Sequence, residues 1–130
     1  MTQAPTHFST ISRVIVPVSD QDRAIDFYVG TLGLEKTSDT PFGDGDRWVE
    51  VSMPEGETAI ALAVPTGSTP PGAMTGISLR TSDADAAHQH LRSLGVDVDA
   101  EVLRVGSPVP PMFFFRDPDG NTLHVAQDPA

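Results

Sequence analysis

Few side chains in this 130-residue sequence can do chemistry, and their types narrow what that chemistry is. There is no cysteine, which removes thiolate nucleophiles, disulfides and zinc–thiolate centres. A metal would need histidine, carboxylate or amide donors, and an acid–base step would need histidine or a carboxylate. Of the four histidines, His88 and His90 stand two apart on a helical stretch, pointing about 200° away from each other, so they cannot share an ion. His7 has no partner visible in the sequence. His124 stands in a stretch, Asn121 to Ala126, that alternates like a strand. Trp48 and Glu50 alternate with Val49 and Val51, so an indole and a carboxylate share one strand face. Arg13 falls on the same side of its strand as Ile15, and a buried Glu50 would need such a cation as partner. Asp117, Asp119 and Gly120 lack the further spaced carboxylates and closing glutamate of a calcium loop and read as a tight turn.

The elements that must position these residues follow from an internal repeat. Val18-Ser19-Asp20-Gln21-Asp22-Arg23-Ala24 and Thr81-Ser82-Asp83-Ala84-Asp85-Ala86-Ala87 share Ser-Asp-x-Asp-x-Ala at an offset of 63, whereas Leu32-Gly33-Leu34 and Leu94-Gly95-Val96 match at 62. One residue is therefore lost within or at the end of the second helix. Ser19 or Asp20, and Ser82 or Asp83, can cap the helices they precede. Ile25, Tyr28, Val29 and Leu32 form one apolar stripe and Ala84, Ala87, Leu91 and Leu94 the other. Gly33 and Gly95 suit the left-handed position that ends a helix. The pattern then turns to period two: 47–51 and 58–64 flank Pro54-Glu55-Gly56-Glu57, and 112–115 and 121–126 flank Arg116-Asp117-Pro118-Asp119-Gly120. Each half reads β-α-β-β-β, the strand right after the helix falling near 35–37 in the first and 97–102 in the second. Module 1 spans about 11–64, a Pro/Gly-rich linker 65–75, and module 2 about 76–127. Together they make one domain, 1–130, because a sixty-residue half would leave its sheet edge and one face open.

Two such modules, with Val-Ser-Asp-Gln-Asp-Arg-Ala-Ile-Asp-Phe-Tyr leading to Leu-Gly-Leu and a closing Phe-Arg-Asp-Pro-Asp-Gly-Asn-Thr-Leu hairpin, resemble the vicinal oxygen chelate superfamily from about Ile11 to Gln127. That superfamily includes glyoxalase I, extradiol dioxygenases, fosfomycin resistance enzymes and bleomycin-binding resistance proteins. The resemblance implies an α+β fold, two paired βαβββ modules forming a cupped mixed β-sheet with helices on the convex side. It implies four positions for divalent-metal ligands, which fall on Arg13, Ala61, Gly76 and His124; the offset of 63 carries Arg13 to Gly76 and Ala61 to His124. Three of these carry no ligating atom suited to a cation, so no metal site and no cofactor are expected.

On that frame the cup is lined by Arg13, Trp48, Glu50, Ser78, Arg80 and His124 over a floor of small residues that includes Ala61, which suits a compact polar or aromatic ligand. Three functions fit. The first is a metal-free protein binding a small molecule in the manner of bleomycin resistance proteins. The second is a metal-free lyase or isomerase with His124 and Glu50 as acid and base and Arg13 stabilising charge. The third is a metal-dependent glyoxalase or dioxygenase with ligands elsewhere. A net charge of −10 argues against nucleic acid and anionic membranes as partners. The longest apolar run, Met112 to Phe115, is far too short to span a bilayer. The opening residues lack the marks of an export signal, so the cytoplasm is the expected location. Free sheet edges make a homodimer the expected assembly.

Overall fold

The computed structural model of the chain describes residues 3–65 and 70–127. Positions 66–69 of the expected linker lie outside the described residues. The first module comprises β1 (Arg13–Pro17), α1 (Gln21–Ile25) running on into π-helical turns over Asp26–Thr31, β2 (Glu35–Phe42), β3 (Asp46–Ser52) and β4 (Ala59–Ala63). The second comprises β5 (Met74–Thr81), α2 (Ala84–Ser93), β6 (Asp97–Val98), β7 (Met112–Arg116) and β8 (Thr122–Gln127). Each module is a four-stranded mixed sheet, in the order β1-β4-β3-β2 and β5-β8-β7-β6, with its first strand parallel to its last.

The helices start as their sequences dictate. Asp20 and Asp83 are the caps, their carboxylates accepting from the backbone N–H of Arg23 and Ala86 at 3.0 Å, which satisfies one orphan donor of each first turn. Gly33 and Gly95 end the helices with φ of 84° and 78°. The change of offset between the halves has a structural form: the first helix carries its extra residue as a π-helical segment, in which Leu32 N–H donates to Phe27 C=O, five residues back, at 2.9 Å. A single insertion widens one turn and leaves the faces on either side in place.

The buried stripes differ in detail from the simple periodic reading. Ala24 and Tyr28 are the buried members of the first helix; Ala84, His88 and Leu91 are those of the second. Leu94 is about half exposed, because α2 ends before it and Gly95 turns the chain away. His88 takes the interior place instead, with Nε2 2.6 Å from the carbonyl of Asp99 and its ring edge-on to Phe113. The strand expected over 97–102 shrinks to Asp97–Val98, while its counterpart extends over Glu35–Phe42.

One core serves both modules. Val16, Val49, Val51 and Leu62 from the first sheet join Phe113, Phe115, Leu123 and Val125 from the second, and Phe27 packs on Phe115 at 6.3 Å. The modules are also stitched by polar contacts around the β7–β8 turn. Asp117, which sequence alone places on the outside of a turn, is 5% exposed, and the neighbouring Asp119, half-buried as a residue, has its carboxylate shielded by the contacts below. Tyr28 donates to Asp117 Oδ2 at 2.8 Å; Asn121 Nδ2 donates to the same oxygen at 3.0 Å and to the Pro17 carbonyl at 2.8 Å. Asp119 accepts from Arg23 Nη2 at 2.9 Å and from Ser19. Burial, and then the charge of Asp117, push the Tyr28 phenol far above its ordinary value.

Asp39 sits in a surface cluster on β2, accepting from Arg47 Nε and Nη2 at 3.1 and 2.8 Å and from Lys36 Nζ at 3.0 Å. The hydrogen bonds from Arg47, then those from Lys36, hold its carboxyl down at about 2, against an ordinary 3.8. A carboxyl depressed in the folded state contributes stability that is complete above the ordinary value and disappears as pH falls through the depressed one. The stability gap between wild type and Asp39→Asn, measured by urea unfolding, is expected to be present at pH 6 and to close as pH falls from about 4 to 2. A gap that persists at pH 2 would place its source in packing.

Candidate functional site

Strand alternation turns Val14, Val16, Ile60 and Leu62 toward the core and leaves Arg13, Ile15, Ala59 and Ala61 on the opposite face of the first sheet. β4 lies between β1 and β3, with Arg13 opposite Ala59, Ile15 opposite Ala61, and Glu50 also opposite Ala61. Arg13 Nε reaches Glu50 Oε2 at 3.1 Å, so the ion pair crosses β4 over its alanines. Only small side chains on β4 leave that path clear. Trp48 donates its indole N–H to the same oxygen, and its ring meets Phe42 edge-on at 6.4 Å. Glu50 is the shielded partner, 15% exposed against 45% for Arg13. A carboxylate with two donors on one oxygen, and no donor on the other among the described residues, is an acceptor held in place for a ligand.

The second sheet repeats the arrangement with different chemistry. β8 lies between β5 and β7, which puts His124 opposite Ser78 on one side and Phe114 on the other. Ser78 Oγ is 2.7 Å from His124 Nδ1, and His124 Nε2 is 3.0 Å from the Met112 sulfur. A thioether can only accept, so in the neutral ring Nε2 carries the proton and Nδ1 accepts from the serine. The Phe114 ring lies 5.0 Å from the imidazole. Arg80 follows Ser78 two positions along β5, opposite Ala126, and is exposed. Thus Arg13, Trp48, Glu50 and Ala61 come together on the first sheet, and Ser78 and His124 on the second, with Arg80 beside them.

The run Phe113 to Phe115 reads in sequence as core with one or two rings touching the cup, and the structure buries Phe113 and Phe115 and puts Phe114 beside His124. Met112 and Phe42 escape a sequence reading; pairing the 112–115 run with the His124 strand at period two is the signal that would have found Met112. Phe42 reaches Trp48 only because β2 extends well beyond the residues that mark it as a strand. The Ser107–Pro111 loop forms one wall of an open cleft of about 390 Å³ whose other side includes Gln127, three residues beyond His124.

The donor set does not fit a divalent metal. At the four positions that would hold one, Arg13 is cationic and already paired, and Ala61 is fully buried beneath that pair. At Gly76 the backbone adopts a φ of 76°, within a register shift of β5 against β8, and a side chain there would be strained. The lone-pair nitrogen of His124 is occupied by Ser78. Among the described residues, no group of three or more His, Cys, Asp or Glu is placed to hold an ion. No helix among the described residues is long and apolar enough to cross a membrane.

Residues 10–125 match the model of a family described as the Glyoxalase/Bleomycin resistance protein/Dioxygenase superfamily. Among solved structures, the chain is 36% identical to TnmS3, an antibiotic binding protein from Streptomyces sp. CB03234, with a TM-score of 0.83 over 95% of this chain and 98% of that one. It is 35% identical to a member of the same superfamily from Sphaerobacter thermophilus DSM 20745, with a TM-score of 0.84 over 95% and 100% of the two chains. It is 37% identical to a glyoxalase/bleomycin resistance protein from Streptomyces sp. CB03234, with a TM-score of 0.76 over 91% and 100%.

Proposed function

This chain belongs to the glyoxalase/bleomycin resistance protein/dioxygenase superfamily, and we propose that within it the protein binds a small polar or aromatic molecule without a metal and without transforming it. The observation that carries this reading is the Arg13–Glu50 ion pair laid over Ala61, where the fold would otherwise place two ligands of a metal. The polar groups are arranged to orient a ligand: the indole and the Phe42 ring offer an aromatic surface on one sheet, the Phe114 and His124 rings on the other. Among the described residues Nε2 of His124 is held only by a weak acceptor, the Met112 thioether, so a ligand oxygen that replaces the sulfur gains a stronger hydrogen bond. The antibiotic-binding neighbour at 36% identity supports binding as the activity.

The faces that carry these groups turn away from the shared core and leave Ile15 60% and Met74 61% exposed. A homodimer that covers them and completes the cup is part of the proposal. Cytoplasmic residence is the location it assumes.

A catalytic reading with His124 and Glu50 as acid and base is the alternative, and one substitution separates the two. His124→Ala is expected to weaken ligand binding about tenfold, the loss of one good hydrogen bond and a ring contact, as measured by calorimetric titration. If binding is spared and turnover of the ligand is abolished, the protein is an enzyme. Titration against small aromatic acids, glutathione adducts and glycopeptide antibiotics tests the binding reading itself.

A further inference from the structure

Phe114 packs its ring against His124, and the groups that fix its backbone lie outside the cup. β7 has β8 along one edge and β6 along the other, and β6 ends after Asp97–Val98. With Asp97 opposite Arg116 and Val98 opposite Phe115, the next pair in register is Asp99 with Phe114. Asp99 N–H donates to the Phe114 carbonyl at 3.0 Å, and a regular ladder would add the reciprocal bond from Phe114 N–H to the Asp99 carbonyl. That carbonyl instead turns to α2, where it accepts from His88 Nε2 at 2.6 Å. The Asp99 carboxylate takes its place, with Oδ2 accepting from the Phe114 N–H at 3.0 Å. The following carbonyl, of Ala100, also turns to α2 and accepts from Arg92 Nη1 at 3.3 Å. His88 and Arg92 are one helical turn apart on one face, so α2 draws two successive carbonyls out of the sheet and the strand stops.

We propose that Asp99 is a positioning residue of the cup: its carboxylate, in place of a continued strand, sets where the Phe114 ring lies against His124. The inference rests on the reading of Phe114 and His124 as part of a binding cup and names the residue that arranges that half of it. Three observations carry it. The first is direction. Both backbone polar groups of Phe114 point to Asp99, so on the other edge Phe114 faces His124 as a non-hydrogen-bonded pair, the closer kind, with no ladder bond between the two. The second is anchorage. Asp99 is held through its N–H, its carbonyl and both carboxylate oxygens, since Arg116 Nη1 donates to Oδ1 at 2.8 Å. The third is strength. An ionised acceptor makes a stronger hydrogen bond than the carbonyl it replaces, and it is a side chain, so one substitution can release Phe114 as no substitution could in a regular ladder.

The His124 imidazole is the reporter, because its C–H protons lie in the ring-current field of Phe114, 5.0 Å away between ring centres. Proton NMR of the full chain reads its Hε1 resonance, which is assigned by its loss in His124→Ala. Phe114→Leu marks where that resonance falls once the aromatic ring is gone. Asp99→Ala is expected to move it most of the way to that mark, whereas Asp99→Asn, which keeps an acceptor oxygen at the same reach, is expected to stay near wild type. The Asp99 side chain is 38% exposed, so its truncation leaves no core cavity. Asp99→Glu keeps a carboxylate for Arg116 on an arm longer by one methylene and is expected to move the resonance in the same direction, so the test does not depend on the folding of Asp99→Ala. Asp39→Asn, destabilised on the other sheet, is expected to leave it unmoved. A His124 resonance that stays in place in Asp99→Ala, or in Asp99→Glu where Asp99→Ala does not fold, overturns the proposal. So does a displacement in Asp99→Asn as large as that in Asp99→Ala. The measurement needs no ligand: its failure leaves the binding proposal standing, and a ligand panel without a hit leaves the placement of Phe114 to be read in this way.

Discussion

Asp117→Ala is expected to destabilise the fold by about 3–5 kcal/mol, the range for stripping a buried carboxylate from partners that remain buried. Its two oxygens accept four hydrogen bonds: from the backbone N–H groups of Asp119 and Asn121, from the Asn121 side chain, and from the Tyr28 hydroxyl. Tyr28 and Asn121 are fully buried, so their donors have no water to turn to. The contacts join the first helix to the last hairpin, 89 residues apart in sequence, so the loss falls on the joint between modules. Tyr28→Phe removes one donor and leaves the carboxylate its other three, and should cost about 1–2 kcal/mol. Urea unfolding measures both. A loss below about 1 kcal/mol for Asp117→Ala, within the range of ordinary surface changes, would mean that apolar packing alone holds the modules together.

Ala61→Glu restores a carboxylate where the fold family can carry a metal ligand, and it is expected to damage the protein without creating a site. The position is fully buried, opposite Ile15 and Glu50, on the strand that the Arg13–Glu50 pair crosses. A longer side chain there overpacks the face, at about 1–3 kcal/mol. It also brings a second carboxylate beside Glu50 to compete for one guanidinium. Together these should lower stability by roughly 3 kcal/mol or more, with no divalent ion retained on elemental analysis after dialysis. Stability near wild type with one metal ion per chain would show that the site reverts readily and that Arg13 is an incidental occupant.

Much of this architecture could be read in the sequence because local chemistry and repeat agree. The Ser-Asp caps, the Leu-Gly stops and the alternation around Trp48 and His124 each specify one element, and the second copy of the pattern checks the first. The Arg13–Glu50 pairing was legible too, since a carboxylate on a half-buried face requires a cation within reach. Other features were not, for physical reasons. The one-residue change in offset is visible, but a helix can absorb an extra residue at several points, and only the packing of Tyr28 and Leu34 on either side selects a π-helical turn. His88 looks like a surface residue until Leu94 is lost to the helix end. Asp117 and Asp119 have the composition of a solvent-exposed turn; their burial depends on a tyrosine and an arginine from the other module, a contact with no local signature.

Ligand-induced thermal stabilisation in chelating buffer tests the binding proposal most directly. A ligand present at a hundred times its dissociation constant stabilises the native state by about 2.7 kcal/mol, a rise of several degrees in Tm for a domain of this size. With the panel of small aromatic acids, glutathione adducts and glycopeptide antibiotics, at least one compound is expected to raise the Tm by that amount, equally with and without EDTA. Stabilisation that appears only when a divalent metal is supplied would contradict the metal-free cup and the reading of Arg13, Ala61 and Gly76 on which it rests.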